Sequence, residues 1–121
     1  MKKQKQVKFK AGKNIAMKVP AHQYQQTVEF YKDIISLRQI KEYEPETVFK
    51  FGDKNLWIDK VNYMSQSEIW LEIECDDINE AEKYLESQGV VRRDEIEKLP
   101  KGLQAFWISS PSDIIHLISK A

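Results

Sequence analysis

The order of predicted secondary structure repeats once along the chain, and this repeat constrains the fold more than any other feature. Each half contains a strand, an amphipathic helix and then three short extended segments. A ferredoxin-like domain has two strands between its helices, whereas about four strand-like segments lie between Leu37 and Asp77. We therefore predict an α+β fold of two βαβββ modules, at about residues 14–66 and 67–121. Their curved mixed sheet would leave a concave cup for a ligand.

Alternating or helical spacing of apolar residues gives the bounds of these predicted elements. In the second module's first strand, Ile69, Leu71, Ile73 and Cys75 alternate with polar or bulky residues. Asp77 is predicted to cap the following helix, with Glu80 three residues later. The predicted helices cover about 22–37 and 78–88, and the predicted strands cover 14–19, 39–43, 47–51, 56–61, 69–75, 90–95, 103–109 and 114–119.

The composition fits one globular domain and excludes several classes of partner. The chain has 121 residues, 41% of them hydrophobic, and its 19 basic side chains equal its 19 acidic ones. Nucleic-acid binding normally needs a basic excess, so nucleic acid is not the expected partner. No apolar run reaches the ~20 residues of a membrane span, and no apolar segment of a signal peptide follows the first lysines. The single cysteine, Cys75, cannot form an internal disulfide, so we expect a cytoplasmic protein.

The zero net charge hides an uneven distribution along the chain. Residues 1–13 hold six lysines and no acid, whereas residues 14–121 hold 13 basic and 19 acidic residues, a net charge of −6. We assign 1–13 as a basic arm preceding a domain at 14–121. The arm is either a solvated terminus or, through the alternation at 7–11, an edge strand against an acidic second subunit.

Three stretches of the sequence resemble the glyoxalase/bleomycin resistance/dioxygenase superfamily, also called the vicinal oxygen chelate family. They resemble, in order, the family's first strand and helix, the opening of its second module, and its final hairpin. The stretches are Met17–Val19 with Thr27–Asp33 and Leu37, Leu71–Asn79 with Leu85 and Gly89, and Phe106–Pro111 with Ile115–Ile118. The resemblance covers roughly residues 14–120 and implies the same two-module fold, commonly as a homodimer.

Family enzymes bind a divalent metal through four side chains, and the resemblance carries these positions onto Asn14, Asp59, Trp70 and His116. An indole cannot ligate a metal, and an asparagine carbonyl is a weak donor. Asp59 and His116 remain as metal ligands, whereas a catalytic site normally has about three protein ligands and an open position. We therefore predict a degenerate metal site and no required cofactor, with a divalent metal as the alternative.

The same register predicts what lines the cup. Strand alternation places Trp57 with Asp59, and Trp70 with Glu72, and the resemblance adds His116. Aromatic walls with a few charged groups suit a planar or cationic small molecule. Two simpler interpretations stay open: the tryptophans fill a core or a subunit contact, and Asp59 only pairs with a nearby lysine.

Three functions follow from these observations. The leading one is a glyoxalase/bleomycin-resistance-like protein that binds a small molecule in a cup with a degenerate metal site. The second is a metal-dependent lyase, isomerase or dioxygenase that uses Asp59 and His116, and the third is an association module without catalysis. Whether the chain is an enzyme stays open, since it contains no serine-hydrolase, dinucleotide, P-loop or HExxH motif.

Overall fold

The computed structural model describes residues 6–121, which form two α-helices and seven strands. They divide into a first unit, Lys13–Trp70, and a second unit, residues 6–12 with Leu71–Ala121. The elements are β1 (Phe9–Pro20), α1 (Ala21–Glu29), β2 (Thr47–Phe51), β3 (Lys54–Val61), β4 (Glu68–Cys75), α2 (Ile78–Ser87), β5 (Val91–Arg92), β6 (Ala105–Ser109) and β7 (Ile115–Lys120). The α+β fold with two successive βαβββ-type modules is therefore confirmed.

In the first unit, β3 lies between β2 and β1. β3 runs parallel to β1 and antiparallel to β2. The parallel register pairs Ile15 with Leu56 and Met17 with Ile58, so these apolar side chains share one face. Apolar residues of α1, including Tyr24 and Val28, pack on that face, and burial of this surface holds the helix to the sheet.

The first helix is shorter than the spacing of its apolar residues predicts. After α1 the chain makes one π-helical turn, Phe30–Ile34, instead of continuing as an α-helix to residue 37. The Leu37 amide donates to the Tyr31 carbonyl at 2.9 Å, and Ser36 adopts a left-handed backbone conformation with φ of 64°. The helical path therefore ends through a widened turn, although Tyr31 and Leu37 still reach the core.

The segment predicted as a strand at 39–43 is mostly not extended. Gln39 forms an isolated antiparallel bridge with Phe49, and Lys41–Tyr43 form a 3₁₀ turn. Backbone pairing to β2 stops after Ile40, whose amide donates to the Val48 carbonyl at 2.8 Å. Residues 41–46 are all exposed, so a longer strand here would have had no apolar face to bury.

In the second unit, the strand order is β4, β7, β6, β5, with β4 parallel to β7 and the other pairs antiparallel. The Asp77 carboxylate accepts from the Glu80 amide at 3.1 Å, so the predicted N-cap of α2 is confirmed. Gly89, with φ of 76°, follows the helix. The buried core of this unit consists of Val7, Cys75, Ala81, Phe106, Ile108 and Ile118.

The last residues of the basic arm belong to the fold. β1 begins at Phe9, inside the range 1–13 that the sequence assigned to the arm, and Val7 is only 7% exposed. The Lys8 amide donates to the Asp76 carboxylate at 3.0 Å, and the Asp76 amide donates to the Lys8 carbonyl at 3.3 Å. The segment 7–11 therefore contacts its own chain. Burial of the apolar Val7 side chain stabilises this contact. Residues 1–5 lie outside the described part.

None of the helices in the described residues is long and apolar enough to span a membrane.

Candidate functional site

Three of the side chains singled out in the sequence, Asn14, Trp57 and Asp59, share one face of the first unit's sheet with Lys18, opposite α1. They alternate with the buried apolar residues, and the parallel register pairs Asn14 with Asn55 and Lys18 with Asp59. Trp70, at the end of the first unit, contacts the same group through Lys18. We call this surface the Trp57 face, defined by Asn14, Lys18, Trp57, Asp59 and Trp70.

A partly buried ion pair lies at one end of the Trp57 face. Lys18 Nζ is 2.9 Å from Asp59 Oδ2, and the two side chains are 4% and 25% exposed. The same ammonium lies 4.3 Å from the centroid of the Trp70 ring, which is within cation–π range. Trp70 is 2% exposed and its indole N–H donates to a Glu68 carboxylate oxygen at 2.9 Å. The Lys18 charge is therefore balanced by a carboxylate and a ring.

Trp57 is oriented by polar contacts at its edge. Its indole N–H donates to Asn14 Oδ1 at 2.8 Å, and Asn55 Nδ2 donates to the same oxygen at 3.3 Å. The Tyr43 ring lies 4.9 Å from the Trp57 ring, centroid to centroid, at 45°. The Trp57 side chain is half-buried, so part of a fixed aromatic surface remains accessible.

The side chains present do not fit the divalent metal that this fold binds in family enzymes. Asn14 Oδ1 already accepts from two donors, and a fixed ammonium lies against Asp59. Trp70 offers an N–H donor rather than a lone pair. Within residues 6–121, no group of three or more histidine, cysteine, aspartate or glutamate side chains is arranged to hold a metal ion. We therefore derive no chemistry through a metal.

The two other predicted site residues belong to the second unit and lie on opposite faces of its sheet. Glu72 accepts from Ser119 Oγ at 3.3 Å and packs over Gly12, where an added Cβ would lie 2.7 Å from the Glu72 Cβ. His116 pairs with Leu71 on β4 and Ile108 on β6, so it shares the face on which α2 packs. The predicted placement of Glu72 and His116 on one surface is wrong. Apolar residues flank His116 on both sides, so the alternation in β7 did not reveal its face.

Two side chains outside the predicted site have shifted pKa values, and both have structural explanations. Burial raises the pKa of the Cys75 thiol, which is 1% exposed and packs in the core as its alternation predicts. Partial burial lowers the pKa of Arg92, but its ion pairs with Glu82 and Asp94 more than offset this effect and raise it overall. Arg92 also lies 4.5 Å from the Phe106 ring centroid.

The predicted site included neither Lys18, a member of the Trp57 face, nor Tyr43, whose ring contacts Trp57. Lys18 lies between the apolar residues Met17 and Val19 in β1, and its parity with Asn14 was the available signal. Tyr43 lies in the segment that was predicted as a strand, so its approach to Trp57 had no sequence signal.

Comparisons with known proteins place the fold. No protein-family model matches the chain, and no curated protein sequence matches it significantly. A hypothetical protein from Bacillus halodurans C-125 has a similar structure, with a TM-score of 0.64 and 14% identity over 97% of this chain and 96% of that one. A glyoxalase/bleomycin resistance protein/dioxygenase superfamily member from Vibrio splendidus 12B01 gives a TM-score of 0.60 and 8% identity over 88% and 97%.

An Mn(II)-bound glyoxalase from Novosphingobium aromaticivorans also has a TM-score of 0.60, with 15% identity over 89% of this chain and 38% of that chain. The chain therefore has the fold of the glyoxalase/bleomycin resistance/dioxygenase superfamily, as the sequence resemblance predicted. Proteins with this fold have varied functions, so the chemistry has to come from this chain's own side chains.

Proposed function

We propose that this protein binds a planar, neutral or cationic small molecule on the Trp57 face, without a metal ion. The observation that carries the proposal is the Lys18–Asp59 ion pair, because it puts the Lys18 side chain beside the only carboxylate at the four implied metal positions. The face then offers aromatic surface and hydrogen-bonding groups rather than a Lewis acid.

The accessible part of Trp57 is the surface on which such a ligand would stack. Its ring is fixed by Asn14 and by Tyr43, so stacking would cost little side-chain ordering. The accessible face of the Trp57 ring attracts a cation through its π electrons, whereas the charge of Asp59 is already balanced by Lys18. The net charge of −6 over residues 14–121 acts in the same direction.

The metal-dependent alternative has one supporting observation, the likeness in fold to an Mn(II)-bound glyoxalase. Against it, Asn14 and Asp59 are engaged by other groups, and Trp70 cannot ligate. A direct test is titration of the purified protein with Mn²⁺ and Ni²⁺, followed by elemental analysis. We expect no stoichiometric metal, whereas one equivalent that is lost in Asp59→Asn would overturn the metal-free proposal.

The binding proposal can be tested with 9-aminoacridine, a planar aromatic cation, by fluorescence anisotropy in the presence of EDTA. Replacing Trp57 with leucine keeps an apolar side chain but removes the ring, and we expect about tenfold weaker binding. Trp107→Phe is the matched control, because Trp107 is 6% exposed and its indole N–H donates to the Glu97 carbonyl within the second unit. Equal affinities of the wild type and Trp57→Leu would refute the site.

We also propose that the protein is a cytoplasmic homodimer, as the resemblance and the single cysteine imply. Among the described residues, Phe30, Ile34 and Ile35 expose apolar surface after α1, with Ile34 73% exposed. Light scattering during size-exclusion chromatography should give twice the 14.3 kDa chain mass. A monomer at micromolar concentration would refute the dimer and leave the ligand proposal intact.

A further inference from the structure

The second unit contains a pocket of about 330 Å³ on the α2 side of its sheet, and none of the functions above uses it. Its walls come from the C-terminal end of α2, the segment that leads into β5, the end of β6 and the sheet beneath. The lining residues include Ile73, Gln88, Val90, Ile108, Ser109 and His116. A volume of this size is at the lower end of the range for small-molecule sites, roughly 300–1,000 Å³.

His116 is the ring that gives this mostly apolar pocket a specific polar group. Its Nδ1 lies 3.0 Å from the Ile114 carbonyl oxygen. A carbonyl only accepts hydrogen bonds, so Nδ1 carries the proton in the neutral ring and Nε2 is left as an acceptor. Within the described residues no hydrogen bond to Nε2 is formed. The Nδ1–H bond and the Nε2 lone pair diverge in the ring plane, so Nε2 does not face the Ile114 carbonyl.

The remaining polar groups are less suited to recognise a buried ligand. Ser109 borders the pocket, and its hydroxyl is buried with no partner within residues 6–121. The alternation of β6, however, directs its side chain to the face opposite Ile108 and His116. Gln88 is exposed at the end of α2, so its amide is solvated.

We propose that this pocket binds a compact aromatic molecule that carries a hydroxyl group, with His116 Nε2 accepting the hydroxyl hydrogen bond. The apolar walls, among them Ile73, Val90 and Ile108, would enclose the ring. The site lies within the second unit and does not rest on the proposed ligand of the Trp57 face.

The experiment compares 2-naphthol with naphthalene, which has the same rings but no hydroxyl, by NMR on protein with ¹⁵N-labelled histidine. The chain has two histidines, and His22, exposed on α1, provides an internal control. Saturating 2-naphthol should shift the His116 ring signals and leave those of His22 in place. The free protein should show the Nδ1–H tautomer of His116. Unchanged His116 signals, or the Nε2–H tautomer, would overturn the proposal.

Affinities measured in the variants separate a hydrogen bond from simple contact. His116→Ala should weaken 2-naphthol binding about tenfold, the effect of one lost hydrogen bond, and change naphthalene binding less than about twofold. Equal weakening of both probes would overturn the role of Nε2. His116→Gln, which keeps an acceptor, should stay within about threefold of the wild type, and it serves as the second variant if His116→Ala does not fold.

Two further variants locate the bound naphthol. His22→Ala should bind both probes as the wild type does. Trp57→Leu should also leave 2-naphthol binding at His116 unchanged, so a failure of the Trp57 face and a failure of this pocket give different results. If Trp57→Leu abolishes the His116 shifts, the pocket is not an independent site and the inference is refuted.

Discussion

Replacing Lys18 with methionine removes the buried ammonium while keeping a long side chain. The variant leaves the Asp59 carboxylate without its cation, and it removes the ammonium from the Trp70 ring, 4.3 Å away. Breaking one side of a buried pair costs about 3–5 kcal/mol, because the remaining charge has been taken out of water. Asp59 is 25% exposed, so water can partly solvate it, and we expect a cost of about 3 kcal/mol, the lower end of this range.

The converse variant, Asp59→Asn, removes the carboxylate that lies 2.9 Å from the more deeply buried group. The Lys18 side chain is 4% exposed, so we expect the larger loss here, about 4 kcal/mol. The double variant Lys18→Met/Asp59→Leu has no charge left at this position. Its free energy of unfolding should be within about 1 kcal/mol of the wild-type value, since replacing both partners of a buried pair by apolar groups is often neutral.

The assay is urea unfolding followed by far-UV circular dichroism, with the coupling energy taken from the double-mutant cycle. We expect a coupling energy of several kcal/mol, well above the ~0.5 kcal/mol of independent sites. If Lys18→Met costs less than about 1 kcal/mol and the two losses simply add, the ion pair is not the organising contact of the Trp57 face.

Two other contacts give independent predictions. Asp77→Ala should lower the free energy of unfolding by about 1 kcal/mol, because the Glu80 amide loses its hydrogen-bond acceptor. The midpoint of urea unfolding measures this loss, and an unchanged midpoint would show that Asp77 does not cap α2. The Cys75 thiol should resist iodoacetamide at pH 8 in the folded protein and react on unfolding, as mass spectrometry would show. Because burial raises the pKa of this thiol above its ordinary value, the stability it contributes is present at neutral pH and falls as the pH rises through the folded pKa; stability that stays constant through the alkaline range would contradict this.

Much of the fold could be predicted from the sequence because hydrophobic period and capping chemistry are local. The alternation of Ile69 to Cys75 placed β4 and the buried thiol, and the spacing of Asp77 and Glu80 placed the start of α2. The secondary-structure predictions were wrong where the local spacing of apolar residues does not distinguish between conformations. The π-helical turn Phe30–Ile34 keeps helical spacing of its apolar residues while changing the hydrogen bonding, so the sequence could not signal it.

The candidate site was predictable only in the first unit. Alternation put Trp57 and Asp59 on one side of their strand and the resemblance added Asn14, and the register of β1 with β3 brings the three onto a common face. In the sequence of β7, apolar residues lie on both sides of His116, so alternation did not predict which face of the sheet the His116 side chain occupies. The pairing of Lys18 with Asp59 depends on the register between two strands 41 residues apart, which a single sequence does not specify.

The most direct test of the central claim is the affinity of 9-aminoacridine for metal-free protein. The wild type in EDTA should bind one equivalent, Trp57→Leu should bind it about tenfold more weakly, and added Mn²⁺ should change neither affinity. Binding that requires Mn²⁺, or that survives unchanged in Trp57→Leu, would contradict a metal-free ligand site on the Trp57 face.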